Sequence, residues 1–311
     1  MNTQANAVAE STLEWQATAP TAISRARRLY WALRREFWES RSIYLAPLSV
    51  AALFLCGFAI RALHLPAQMR AAAAFDPIRQ REAIAMPYDI AAAVLMLTAM
   101  IVGVFYCLDA LYGERRDRGI LFWKSLPVSD AMTVLSKAAI PLAIIPLLTF
   151  AITVVLQLIM LLLSSAVLAA SGQRVATLWT ELSFPRMSLL LLYHLVTAHA
   201  LWPAPIYGWL LLVSAWARRA TFLWAALPLV AIAGVEKIAF NTSHFTAIVV
   251  RRFLGDAPTV MLNRPDIFPM DPMTHITPGK FLAAPGLWIG LAITAAFLMA
   301  AVRLRRSQGP V

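Results

Sequence analysis

Long apolar runs alternate with short charged stretches along this chain, and six of the runs, 43–63, 88–112, 138–168, 188–216, 222–240 and 285–302, set its architecture. Crossing about 30 Å of hydrocarbon as a helix takes about 20 residues, so each run is a candidate span. The third and fourth exceed that need. They carry prolines, Pro141 and Pro146 in one and Pro203 and Pro205 in the other, so tilt, a kink or an interfacial end absorbs the excess. Residues 1–23 are polar and Ala-rich without an apolar core, and read as a flexible cytoplasmic tail. From Ser24 the period becomes helical. Leu29, Tyr30, Leu33 and Phe37 share one face, Arg27, Arg34 and Arg41 recur alongside it, and Trp31 and Trp38 flank the arginines. An apolar face rimmed by Arg and Trp predicts a helix lying in the membrane interface. Arg35 and Glu36 complete its basic-acidic run.

The expected fold is an all-α integral membrane protein. A tail (1–23) precedes a single membrane domain (24–311) of six transmembrane helices, with an N-terminal interfacial helix. Residues 241–284, before the last span, hold an apolar but arginine-bearing stretch and then Pro258, Pro265, Pro269, Pro272 and Pro278. They predict a re-entrant or interfacial outer segment.

Composition agrees: 60% of residues are hydrophobic, 14% are charged and the mean hydropathy is +0.68, values that exclude a soluble domain. The net charge of +11 would suit a nucleic-acid binder. Its arginines gather beside the apolar runs, however, where membrane lipids and orientation account for them, so no nucleic-acid partner is expected. Arg25, Arg27, Arg28, Arg34, Arg35 and Arg41 precede the first span, and Arg115, Arg116, Arg118 and Lys124 follow the second. Arg218 and Arg219 follow the fourth, and Arg303, Arg305 and Arg306 the last. With six spans these fall on one side, which predicts both termini in the cytoplasm. Cys56 and Cys107 lie inside apolar runs and read as packing residues, not as a disulfide or metal site.

Little else suggests chemistry. There is no Gly-x-x-x-x-Gly-Lys-Ser/Thr phosphate cradle, so the chain is not expected to be an enzyme, and no catalytic, cofactor-binding or metal residue is assigned. His194 and His199 are five apart, off a common helical face, and are expected to form a buried, hydrogen-bonded pair. Asp109 reads as reaching the interface. Glu236 and Lys237 either line a pathway or snorkel to the surface.

The most distinctive stretch is the charged and aromatic island that runs from Tyr112-Gly113-Glu114-Arg115-Arg116-Asp117-Arg118-Gly119, through Phe122-Trp123-Lys124-Ser125-Leu126-Pro127-Val128-Ser129-Asp130, to Lys137. Its charges predict a loop, with a short amphipathic helix around a Glu114–Arg118 pair, a break at Pro127 and a restart capped by Ser129 or Asp130. The island resembles the cytoplasmic loop of bacterial ABC type-2 permeases, and Arg34-Arg35-Glu36-Phe37-Trp38, the six spans and the outer segment agree with that family's order. The resemblance implies an exporter permease subunit in the bacterial cytoplasmic membrane. It would dimerise with a second copy or a homologous permease, and ATP would enter only through a separate P-loop ATP-binding subunit. Within the loop (113–137), Glu114, Arg115, Arg116, Asp117, Arg118, Phe122, Trp123, Lys124, Pro127, Ser129 and Asp130 would form the segment that couples to the ATPase. Arg27, Arg34, Arg35, Glu36, Phe37 and Trp38 would form the interfacial helix. Two departures bear on the docking register: Ile120-Leu121-Phe122-Trp123 follows Gly119, and the tail before Ser24 is long. The alternative from another class is an ion-gradient-driven secondary transporter or channel, which would need a titratable network drawn from Asp109, Glu236, His194 and His199.

Overall fold

The structure is a computed structural model that describes residues 24–72, 74–117, 129–254 and 278–307; the 1–23 tail lies outside them. Every regular element among the described residues is helical. Helices are the form in which a single segment satisfies its own backbone in hydrocarbon. Helix α1 (Arg25–Glu39) starts where the Ser24 hydroxyl accepts the Arg27 amide. After a break at Ser40, α2 (Ser42–Ala62) is the first apolar helix, and a short α3 (Leu65–Ala72) leads to α4 (Pro77–Ala110). Helix α4 begins well before its apolar run, because Pro77 suits a first helical turn and Arg79, Arg81 and Glu82 extend it beyond hydrocarbon.

Helix α5 (Tyr112–Arg116) prolongs α4 by little more than a turn. The chain is described again from Ser129, whose hydroxyl caps α6 (Asp130–Ala139) by accepting the Met132 amide at 3.2 Å, so the expected restart is present. The break expected at Pro127 lies outside the described residues. A π-helical turn (Ile140–Ile144) joins α6 to α7 (Ile145–Ala170). Then come α8 (Val175–Glu181), α9 (Phe184–His194), a second π-helical turn (Leu195–Leu201) and α10 (Ala204–Trp216). The chain closes with α11 (Thr221–Phe240), α12 (His244–Leu254), α13 (Pro278–Ala283) and α14 (Pro285–Ser307).

Both π turns sit at prolines. Pro141 lies within the first and Pro146 just beyond it, and Pro203 and Pro205 follow the second. A proline offers no N–H to the carbonyl four residues back and its ring crowds that carbonyl, so the helix widens or bends. At the second break the Trp202 amide bonds to the Thr197 carbonyl, and the His199 carbonyl, which Pro203 cannot serve, takes the Tyr207 hydroxyl at 3.4 Å. The two halves, Val175–Leu201 and Ala204–Trp216, meet at 44°.

Among the described residues five helices are long and apolar enough to cross a membrane, and this bent pair makes six if it counts as one span. Helix α2 packs on α4 and α7, while α10 packs on α4 and most extensively on α14. The α10–α14 contact is close because Gly208 has no side chain; a Cβ there would stand 3.3 Å from Thr294 Cγ2 and 3.4 Å from its Cα. Small residues let membrane helices approach in this way. Helix α11 lies at the margin of the bundle against α10, with only Ala225 buried.

Candidate functional site

At the end of the bundle where the arginine clusters gather, a chain of ionised side chains runs through its interior. Leu33 and Phe37 pack α1 against the core, chiefly at α6 and the first π turn, with Glu36 on the same inward face. Glu36 receives the Tyr106 hydroxyl from α4 at 2.8 Å and the Lys137 ammonium from α6 at 2.8 Å. Lys137 also reaches Glu114 of α5 at 3.1 Å. Glu114 in turn receives Arg305 from the last turns of α14, and Arg305 Nε donates to Asp130 at 3.1 Å. The order Glu36, Lys137, Glu114, Arg305, Asp130 alternates in sign. Its middle members are shut from solvent: Lys137 is 3% exposed and Arg305 is 5% exposed.

Buried ions are tolerated only when every charge is matched, and removing one member strands the others, so such a chain acts as one unit. It fastens α1, α5, α6 and α14 to each other. A second tie secures α5 to α10. Arg115 donates to the Ser214 carbonyl at 3.0 Å and to the Ala217 carbonyl. The Ser214 hydroxyl accepts the Leu111 and Tyr112 amides at 3.0 and 2.9 Å. Beside the charge chain lies a cleft of about 540 Å³ lined in part by Glu36, Glu39, Arg41, Tyr106, Asp109 and Lys137.

The residues read as an ATPase-coupling segment therefore divide. Glu114 and Arg115 turn inward, Asp130 is engaged with Arg305, and Ser129 is a helix cap. Arg116 and Asp117 are exposed and bond each other at 3.0 Å, with Arg116 also 3.7 Å from Asp109. The bond from Arg116 holds the Asp117 carboxyl below the usual carboxylate range. Arg118, Phe122, Trp123, Lys124 and Pro127 lie outside the described residues, as does any Glu114–Arg118 pair. Glu114 takes Lys137 and Arg305, partners on other helices.

Two further expectations need correction. Leu33 and Phe37 do not face lipid: they pack on the protein core, and the outward side of α1 carries Arg27, Tyr30, Trp31, Arg34 and Trp38. An apolar helix face does not by itself say whether it meets lipid or protein, and here Glu36 on that face is drawn in by Lys137. His194 and His199 are not a bonded pair: His194 Nδ1 lies 3.0 Å from the Leu190 carbonyl, and the buried His199 Nε2 has no hydrogen-bond partner among the described residues. Glu236 proves to be a helix cap, its carboxylate accepting the Thr242 hydroxyl and the His244 and Phe245 amides at the start of α12. Asp109 is exposed, as its interfacial reading required. Among the described residues no group of acidic, His and Cys side chains is placed to hold a metal.

Sequence reasoning did not single out Tyr106, Ser214 or the structural role of Arg305. Lys137 alone left a signal, a lysine immediately before the third apolar run, where an ammonium requires a carboxylate. Helix α12, in the segment expected to be re-entrant or interfacial, reaches back into the bundle. Arg252 donates to the Trp202 carbonyl at 3.2 Å and to the Gly286 carbonyl, and its guanidinium lies 4.3 Å from the Trp202 ring centre. Burial, with Arg251 as a lesser cause, lowers the pKa of this guanidinium, which nevertheless stays protonated.

Together these features define a multi-pass, all-helical membrane protein held at one end by a buried charge chain. Neither protein-family models nor curated proteins nor solved structures give a match to the chain.

Proposed function

We propose that this chain is the permease subunit of an ABC type-2 exporter in the bacterial cytoplasmic membrane. It has six spans, both termini inside, and residues 241–284 forming a re-entrant or interfacial outer segment. It works with a second permease copy or a homologous one, and takes its energy from a separate P-loop ATP-binding subunit. The observation that carries this reading is the charge chain through Glu36, Lys137, Glu114 and Arg305. A force applied to the segment after the second span passes through it to the interfacial helix, the third span and the last span. The sequence resemblance of that segment to the family's coupling loop supplies the partner.

The discriminating experiment is co-purification with a P-loop protein encoded beside this chain, with nucleotide hydrolysis measured for each alone and together. This chain alone should hydrolyse nothing, and should change its partner's rate when the two are combined. Trp123→Ala should lose more of the partner than Arg118→Ala, because a docked aromatic anchor often accounts for about 2 kcal/mol or more and an exposed charge pair for well under about 1 kcal/mol. Normal retention and transport by Trp123→Ala, at equal membrane insertion, would remove that anchor from the coupling scheme.

Orientation is checked separately by single cysteines at Ser125, Ser171 and Ser307 in a cysteine-free background. An impermeant reagent applied from outside should label only Ser171; labelling at Ser125 would invert the topology and end the coupling argument.

A gradient-driven transporter keeps one observation in its favour, the unpartnered His199 Nε2 in the bundle interior. Of its other candidates, Glu236 is occupied as a cap, Asp109 is exposed and His194 is engaged with a carbonyl. Transport by His199→Gln that no longer follows a proton gradient would favour it over the ATP-driven reading.

A further inference from the structure

The outward side of α1 carries a stripe that the bundle does not use. Arg27, Trp31, Arg34 and Trp38 follow one another at steps of four, three and four, so they line one side of α1, arginine and tryptophan in turn, and Arg41 follows past the break at Ser40. Trp31 is 50% exposed and Trp38 is 69% exposed. Arg34 sits over the Trp31 ring at 5.2 Å. No carboxylate of the described residues pairs with Arg27, Arg34 or Arg41, whereas the neighbouring Arg35 is held by Glu39 at 3.0 Å. Arg41, which also borders the cleft beside the charge chain, caps the start of α2, and the exposed Leu45 and Leu48 lie four and seven residues further on, along the side of that helix that the bundle leaves uncovered.

We infer that this stripe is a binding site for anionic phospholipid, with the arginines on the headgroup phosphates and the two indoles at the glycerol level. Indoles favour that depth because one edge is polar and the body apolar. Guanidinium forks match phosphate oxygens in pairs. Continuity with Leu45 and Leu48 sets a lipid's acyl chains along α2 while its headgroup meets Arg41. A soluble protein surface would satisfy the charges without using that continuity. The opposite face of the same helix delivers Glu36 into the charge chain, so α1 joins a lipid on one side to that chain on the other. The inference does not depend on an ATPase partner.

The test uses the purified full chain in detergent, titrated with phosphatidylglycerol or with phosphatidylcholine of the same acyl chains, bound lipid being counted by native mass spectrometry. Each basic residue near an anionic surface contributes about fivefold, so the three together should give a preference for phosphatidylglycerol on the order of a hundredfold. Arg27→Gln/Arg34→Gln/Arg41→Gln should abolish the preference, and the matching Arg→Lys triple, which keeps the charge but loses the forks, should retain part of it. Arg70→Gln/Arg79→Gln/Arg81→Gln removes the same charge elsewhere and should leave it intact. Glycerol phosphate at equal concentration should not displace the lipid; displacement would mean that a free phosphate, not a membrane lipid, is the ligand. Equal binding of both lipids by the unaltered chain, or an undiminished preference in the Arg→Gln triple, would overturn the assignment. So would protection of Trp31 and Trp38 from a soluble quencher by a P-loop subunit in place of lipid.

Discussion

Replacing Lys137 by methionine should destabilise the protein by about 3–5 kcal/mol, the range for breaking a buried ion pair from one side. Methionine fills the volume of the stem but leaves Glu36 and Glu114 facing each other with no cation between them. Tyr106 still donates to Glu36 and Arg305 still serves Glu114, so the fold is expected to loosen at one end of the bundle first. Thermal unfolding in detergent should show a large drop for Lys137→Met. Glu36→Gln in the same chain should recover part of it, since the amide removes one stranded charge. Removing the partner after the ion is lost is the signature of a coupled unit, and additive losses in the double variant would mean that Lys137 and Glu36 do not act together.

The second large effect is expected at the other end. Arg252→Met removes two charge-assisted hydrogen bonds, to the Trp202 and Gly286 carbonyls, and the stacking on Trp202. Each such bond contributes roughly 1.5–3 kcal/mol and the stacking about 1, so about 4–7 kcal/mol should be lost locally. The Trp202 carbonyl lies at the break in the bent pair, where prolines have already removed backbone donors, which leaves few alternatives for it. Helix α12 remains capped by Glu236, so it should stay helical and detach as a unit. Hydrogen exchange should therefore rise at the start of α14 and around Trp202 with little change inside α12. Uniform protection across all three would show that Arg252 is not the clamp.

Helical class, the approximate spans and the restart at Ser129 follow from local pattern, because apolar length and cap chemistry are written in neighbouring residues. The prolines in the third and fourth runs foretold distortion, and both π turns fall there. Sequence also marked residues 112–137 as the distinctive segment, and Glu114 and Asp130 as members of it. It did not reveal what they touch. Lys137 and Glu36 are 101 residues apart, and Arg305 and Glu114 are 191 apart, separations at which no spacing rule operates. Nor did it orient α1: Leu33 and Phe37 suit lipid and protein equally, and only the position of Lys137 in the packed bundle turns Glu36, and with it that face, inward. Glu236 is similar, a carboxylate near a span end whose role is set by where the next helix begins. The chain's own pattern thus determined which segments are helices and which of them can lie in a membrane, since both depend on properties summed over adjacent residues. The tertiary structure alone decided which charges are matched and which face of α1 packs on the bundle, because a buried ion is tolerated only opposite a partner that distant parts of the chain bring to it.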